Sequence, residues 1–280
     1  MAHVYASLAQ LNDHIRDDGS AKFASEASTI RNRKRAILEA VSRDLEGFCM
    51  RSSFGSGFGP RTGTNRYSGD GGSTLDLNDD LLSITSLTTK GSLGASGTSH
   101  TEETDFITFP FDRTPKRRIY GRGTTGSMVF PWGLRTVEIV GSWGYADDRT
   151  TATATASAIA STTTTSITAS DSAEFSPAQT IRIDSEQMYV TGVSGTTLTV
   201  ERGANGTTAA THAAAAAIDI YRYHPDVHLA CLEISLLRWK LSTSGADGSD
   251  GGGEMPLQRP TAEKSILWTR LRDLRYELVR

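Results

Sequence analysis

The apolar positions first recur at helical spacing. Leu8, Leu11 and Ile15 line one face of a short helix expected over 7–18. Ser7 is a good N-cap, and Gln10 stands three residues on, the spacing of a capping box. Ile30, Ile37, Val41, Leu45 and Phe48 then follow at intervals of 7, 4, 4 and 3 residues, predicting a longer helix over about 26–50. Its opposite face carries Arg31, Arg33, Lys34, Arg35, Arg43 and Glu46. Residues 51–74 are Gly-rich without periodicity and read as loop. LDLNDDLLSITSLTTKG, DFITFPFDR and RTVEIVGSWGY mix β-branched and aromatic residues between Gly, Pro or Asp, and read as antiparallel strands. Asn78-Asp79-Asp80 stands where a turn is expected.

Residues 150–169 hold nine Thr and six Ala in twenty positions. They lead into short strand-like runs separated by turn chemistry, with Ser194-Gly195 joining MYVTGV to TLTV and Asn205-Gly206 a second turn. Residues 225–241, PDVHLACLEISLLRWKL, predict a helix with Pro225 at its first position and a stripe of Val227, Ala230, Ile234, Leu237 and Leu241. SGADGSDGGGEMPLQRP has the composition of a flexible linker, and Leu267, Leu271, Leu274 and Leu278 line one face of a helix expected over 261–280. Such a tethered helix needs a partner for its stripe, because it cannot bury the leucines against itself.

The expected fold is α+β: a helical core (N-terminal helices plus a long apolar helix), an antiparallel β section, an inserted small all-β domain and a tethered C-terminal helix. The expected segments are 1–148 for the first part of the core, 149–223 for the insert, 224–243 for the core helix, 244–260 for the linker and 261–280 for the final helix.

Composition narrows the function classes. The chain has 280 residues with Lys plus Arg 29 and Asp plus Glu 32, a net charge of −3. A protein built mainly to grip nucleic acid is clearly basic, so any DNA contact here is local or transient. Only Cys49 and Cys231 occur, both in apolar helical context, which argues against a disulfide framework and suits an intracellular assembly site. The opening MAHVYASLAQLNDHIR lacks the basic start and apolar run of a secretory signal, and no apolar run of about 18 residues suggests a membrane span.

Candidate chemistry is sparse. GRGTTG at 121–126 matches the dinucleotide pattern in letters, but SMVFPWG follows, with Pro131 where a helix should run, so a turn is expected. His224 and His228 stand four apart with Asp226 between them, and a helix surface is a better account than a metal site. Asp76, Asp79 and Asp80, and Asp147 and Asp148, are acidic groups of the kind found in glycosidases, but they read as turn residues. No nucleophile elbow occurs. No catalytic residue, metal or cofactor is expected. Two basic groups remain, Arg31, Arg33, Lys34 and Arg35 on a helix, and Arg113, Lys116, Arg117, Arg118 and Arg122 around a Pro-containing segment. They read as solvated faces or as contacts to a neighbouring subunit or passing DNA.

In order, YASLAQLNDHIR, the text from Ile30 to Phe54, LDLNDDLLSITSLTTKG and VEIVGSWGYADD resemble the head–tail connector (adaptor) family of tailed phages. Ser142-Trp143-Gly144-Tyr145 is the most telling piece, although Pro225-Asp226, which opens the next helix, comes some eighty residues later than in the family pattern. The intervening SITASDSAEFSPAQTIRIDSEQMYVTGVSGTTLTVERGANGT is similar to a module of assorted phage structural proteins. The resemblance implies a non-enzymatic ring, usually of twelve copies, that sits under the portal protein in the virion neck and extends the DNA channel. It would be assembled in the host bacterial cytoplasm, carry the tail or stopper protein and touch double-stranded genomic DNA transiently, with no membrane contact. The C-terminal helix would then reach the portal through Leu267, Trp268, Arg270, Leu271, Arg272, Leu274, Arg275 and Leu278. Arg31, Arg33, Lys34, Arg35, Arg113, Lys116, Arg117 and Arg118 are candidates for subunit or channel contacts. Alternatives are another neck or tail component (a stopper or tail-completion protein), a glycan-degrading virion enzyme, and a Thr-rich adhesin, which the helical termini oppose.

Overall fold

The structure is a computed structural model, and it describes residues 3–15, 27–49, 57–122 and 128–244. Among these the protein is mostly β, with twelve strands in two antiparallel sheets and three α-helices. This corrects the expected α+β fold with its helical core and long apolar helix. Contacts divide the chain into two compact units. Among the described residues, one holds 3–15, 27–49, 149–204 and 208–244, and the other holds 57–122, 128–148 and 205–207.

The unit containing 51–148 is built on β1 (Arg61–Gly69), β2 (Thr74–Lys90), β3 (Gly97–His100), β4 (Phe106–Phe109), β5 (Lys116–Gly121) and β6 (Gly133–Trp143). The sheet order is β1-β6-β2-β5-β4, with β3 also paired to β2. The 17-residue β2 serves two sets of partners. Its first half pairs with β5, and its second half with β6 and β3. The register shifts between Asp76 and Leu81 and again before Ser83 and Ser86. Such bulges bend a strand and let it change neighbours. Leu75, Leu77, Leu81, Val137, Ile139 and Trp143 alternate inward and pack with Phe106, Ile119 and Phe130. Asn78-Asp79-Asp80 is therefore strand interior and not a turn. The loop expected over 51–74 contains β1, whose Thr, Asn and Gly residues take β form through a ladder to β6 running from Arg61 opposite Trp143 to Tyr67 opposite Val137.

Ser142-Trp143-Gly144-Tyr145 ends β6 as a packing device. Trp143 is fully buried, and its Nε1 donates to the Gly63 carbonyl at 3.0 Å. Gly144 has φ +154°, and a Cβ there would stand 2.4 Å from the Gly59 oxygen. No other residue fits that approach. Tyr145 N donates to the Gly57 carbonyl at 3.2 Å.

The other unit contains β7 (Asp148–Ala154), β8 (Ser166–Thr168), β9 (Thr180–Ile183), β10 (Glu186–Ser194), β11 (Thr197–Glu201) and β12 (Ala217–Arg222), in the order β7-β12-β9-β10-β11-β8. Its core is Ile167, Ile181, Ile183, Met188, Val190, Leu198, Val200 and Ile218 with Phe175. The Thr/Ala tract supplies β7, and both expected turns form: Gly195 has φ +55°, and Asn205 and Gly206 have φ +53° and +80°.

The same unit holds α1 (Leu8–Ile15), α2 (Ser28–Phe48) and α3 (Pro225–Ser244). The capping box of α1 is reciprocal: Ser7 N donates to Gln10 Oε1 at 2.8 Å, and Gln10 N to Ser7 Oγ at 3.2 Å. Helix α2 buries Lys34, Leu38, Val41, Ser42, Leu45 and Glu46, while Ile30 and Phe48 are exposed, so its inner face is rotated from the expected stripe. Helix α3 buries Val227, Ala230, Cys231, Leu232 and Ser235, whereas Leu237 is 40% exposed. Apolar residues occur all round α3, so the expected stripe coincides with the buried face at Val227 and Ala230 and leaves it at Leu237. All three helices pack on one another. Tyr189 Oη on β10 donates to Glu39 Oε1 at 2.6 Å, and Arg35 donates to the Thr191 carbonyl at 3.2 Å, tying α2 to the sheet. Residues 245–260 of the linker and the helix expected over 261–280 lie outside the described residues.

Candidate functional site

The basic residues singled out from sequence are placed unequally. Lys34 is only 1% exposed; its ammonium donates to Asn12 Oδ1 at 2.9 Å and sits 4.9 Å from the centre of the Trp239 ring. Arg33 lies over the same ring at 5.8 Å and donates to the Ser242 carbonyl. Arg35 is paired to Glu39 at 3.7 Å. Arg31 is exposed. In the other unit, Lys116 donates to the carbonyls of Pro110 and Phe111, each at 2.6 Å, and closes that loop. Arg117 pairs with the fully buried Asp80 at 3.3 Å. Arg118 pairs with Asp76 and donates to Tyr120 Oη at 3.4 Å, and these partners hold its guanidinium more firmly charged than usual. Arg113 is exposed. Leu267, Trp268, Arg270, Leu271, Arg272, Leu274, Arg275 and Leu278 lie outside the described residues.

The candidate chemistry is absorbed by the fold. His228 Nδ1 lies 2.8 Å from the Tyr5 carbonyl and anchors the N-terminal segment to α3. Asp79 accepts from Asn65 and from Tyr67 Oη, the latter at 3.2 Å. Arg122, within GRGTTG, follows strand β5, and among the described residues the next element is strand β6 and not the helix that a dinucleotide site needs. Burial pushes the Cys231 thiol up to about 11, which makes it a poor nucleophile. Among the described residues no cluster of three or more His, Cys, Asp or Glu could hold a metal, and no helix is long and apolar enough to cross a membrane.

Sequence reasoning missed two constellations. The first is a buried ionic cluster on β10 and the segment after β11. Glu186 is fully buried and receives Arg202 through Nε and Nη2, each at 2.7 Å. It also accepts from Gly203 N at 3.0 Å and Ala210 N at 2.9 Å. His212 lies between two carboxylates, its Nε2 2.9 Å from Glu186 Oε2 and its Nδ1 2.7 Å from Asp184 Oδ2. Burial alone would raise the Glu186 carboxyl, but the Arg202 guanidinium, the two backbone amides and His212 outweigh it and hold the carboxyl at about 2. Arg202 donates further to the carbonyls of Ser161 and Thr164. Both Glu186 oxygens and all three Arg202 nitrogens are engaged, so this pair fixes the chain. The spacing from Asp184 through Glu186 to Arg202 and His212 was visible, but nothing local links those positions.

The second is an apolar groove of about 730 Å3 in the other unit, lined by Leu93, Trp132 and Leu134 and by Gly69, Gly91 and Gly133. Leu93 is 72%, Trp132 80% and Leu134 77% exposed. Scattered surface leucines are ordinary, but large apolar side chains gathered on one groove mark an interaction surface. Its signal in the sequence, PWGL, was read only as the context of a turn.

Compared with protein-family models, curated proteins and solved structures, the chain matches none of them.

Proposed function

We propose that the chain is a structural head–tail connector (adaptor) of a tailed phage or phage-like particle. In this reading copies of it form a ring, of twelve as the resemblance has it, under the portal in the virion neck. The ring extends the DNA channel and carries the tail or stopper protein. The observation that supports it most is the assembly of the helical segments of the resemblance. Helices α1, α2 and α3 are far apart in the chain yet pack on one another within one unit. Buried polar contacts join them: Tyr5 Oη donates to Glu46, and Ser42 Oγ lies 3.6 Å from Cys231 Sγ. The exposed apolar groove suits a part that works by docking.

A second reading is favoured by one specific observation. The protein is mostly β, which fits a stopper or tail-completion protein better than a helical adaptor. A pull-down on purified portal rings separates the two, using the full chain and a form ending at Ser244. Binding lost on truncation supports the adaptor and assigns the C-terminal segment as its docking arm. Binding retained moves the contact to the rest of the chain. No binding by either form removes the adaptor reading and leaves the stopper.

A further inference from the structure

The groove beside Trp132 has a restrictive chemistry. Its lining is Ser68, Gly69, Gly91, Ser92, Leu93, Trp132, Gly133, Leu134 and Thr136, with no ionisable side chain among them. A phosphate, nucleic acid or charged peptide would find no counter-charge there. An amphipathic helix with a narrow apolar stripe would find three large apolar contacts and a glycine-lined surface that admits close approach. The chain contains such a stripe. Leu267, Leu271, Leu274 and Leu278 recur at intervals of 4, 3 and 4, behind the Gly-rich stretch 244–260. A stripe of this kind is marginal in water without a partner.

We propose that the groove of one copy receives the leucine-striped C-terminal segment, 261–280, of a second copy. Groove and segment are different surfaces of the same chain, so the contact is heterologous, and a joined pair still offers one free groove on one copy and one free segment on the other. Repetition of such a contact closes into a ring when the rotation permits, and otherwise extends as a filament. Only the closure into a ring rests on the connector reading; the contact itself does not.

The test is complementation by sedimentation velocity without portal protein. The form ending at Ser244 keeps the groove and lacks the segment. Leu134→Glu keeps the segment and places a charge in the groove, and Leu93→Glu is a second groove variant. Both leucines are exposed, so unchanged circular dichroism is expected. The full chain should self-associate, each variant alone should be a monomer, and a mixture of the truncated form with Leu134→Glu should form a 1:1 heterodimer that grows no further. Each groove substitution should weaken the contact about 30-fold, the effect of losing one interface hot spot. Continued self-association by either variant overturns the proposal. So does a monomeric full chain whose truncated form binds a synthetic 261–280 peptide while the full chain does not, because the segment then occupies its own groove. Failure of the truncated form to bind that peptide overturns it as well. Portal binding by the full chain is measured separately. Complementation without portal binding leaves this contact standing and removes the connector reading, and the converse does the reverse.

Discussion

Replacing Glu186 by Ala should be among the most damaging single changes in the unit that contains the helices. The carboxylate is fully buried and is the common acceptor for Arg202, Gly203 N, Ala210 N and His212. Its removal leaves the Arg202 side chain, only 6% exposed, as an uncompensated cation. Breaking one partner of a buried pair costs about 3–5 kcal/mol. The lowered carboxyl gives a separate figure. The folded carboxyl is held at about 2 against an ordinary 4.5, a difference of about 2.5 units. At about 1.36 kcal/mol per unit that corresponds to about 3 kcal/mol. The folded value is the depressed one, so this stability is fully present above pH 4.5 and is lost as pH falls toward 2. Urea unfolding at pH 7, with hydrogen exchange on β10 peptides to isolate this unit, should show a loss of about 3–5 kcal/mol for Glu186→Ala. The difference from the parent protein should shrink between pH 4.5 and 2. A loss below about 1 kcal/mol at pH 7, or a difference that does not depend on acid pH, would refute the argument.

Other expectations are simpler. Trp143→Ala empties the centre of the first sheet and removes the bond to Gly63, and should cost about 3–5 kcal/mol in the unfolding of that unit alone. Gly141→Ala places a Cβ 2.2 Å from the Ser83 carbonyl and should cost about 1–3 kcal/mol, seen as a lowered thermal midpoint. Ser7→Ala removes one half of the capping box and should cost about 1 kcal/mol, with faster exchange of the α1 amides.

What was legible in the sequence follows from where the ordering forces lie. Helices α1, α2 and α3 were found because caps and 3.6-residue spacing act within one segment, and the Ser7–Gln10 pair is a local device of that kind. Strands β2, β4 and β6 were found because runs of β-branched and aromatic residues bounded by Gly, Pro or Asp are also local signals. Strand β1 was missed because its order comes from β6, far along the chain, and its own Thr, Gly and Asn residues carry a turn signal. The predominance of β follows from the same cause: β3, β5 and β7 are short or polar segments whose hydrogen bonds come from distant neighbours. The faces of α2 and α3 were read in part, at Val41, Leu45, Val227 and Ala230, because apolar residues also occur outside the buried face, as at Ile30, Phe48 and Leu237, and because Lys34, Ser42 and Ser235 lie on it. The ionic cluster could not be assembled from sequence, since Asp184, Glu186, Arg202 and His212 meet only once β9, β10 and β11 are paired.

The same distinction decides which basic residues could meet DNA. The ammonium of Lys34 is buried on Asn12 and Trp239, Lys116 closes its own loop, and Arg117 and Arg118 neutralise Asp80 and Asp76. Arg31 and Arg113 are exposed. Each phosphate contact contributes about 0.9 to the slope of log affinity against log salt. If the channel reading holds, Arg31→Ala and Arg113→Ala should each lower that slope by about 0.9 per contact in a fluorescence-anisotropy titration with duplex DNA. Lys34→Met should leave the slope unchanged and act on stability instead, because its charge already has protein partners. A slope that falls as much for Lys34→Met as for Arg31→Ala would show that α2 presents a different face to DNA, and the assignment of channel contacts from exposure would fail.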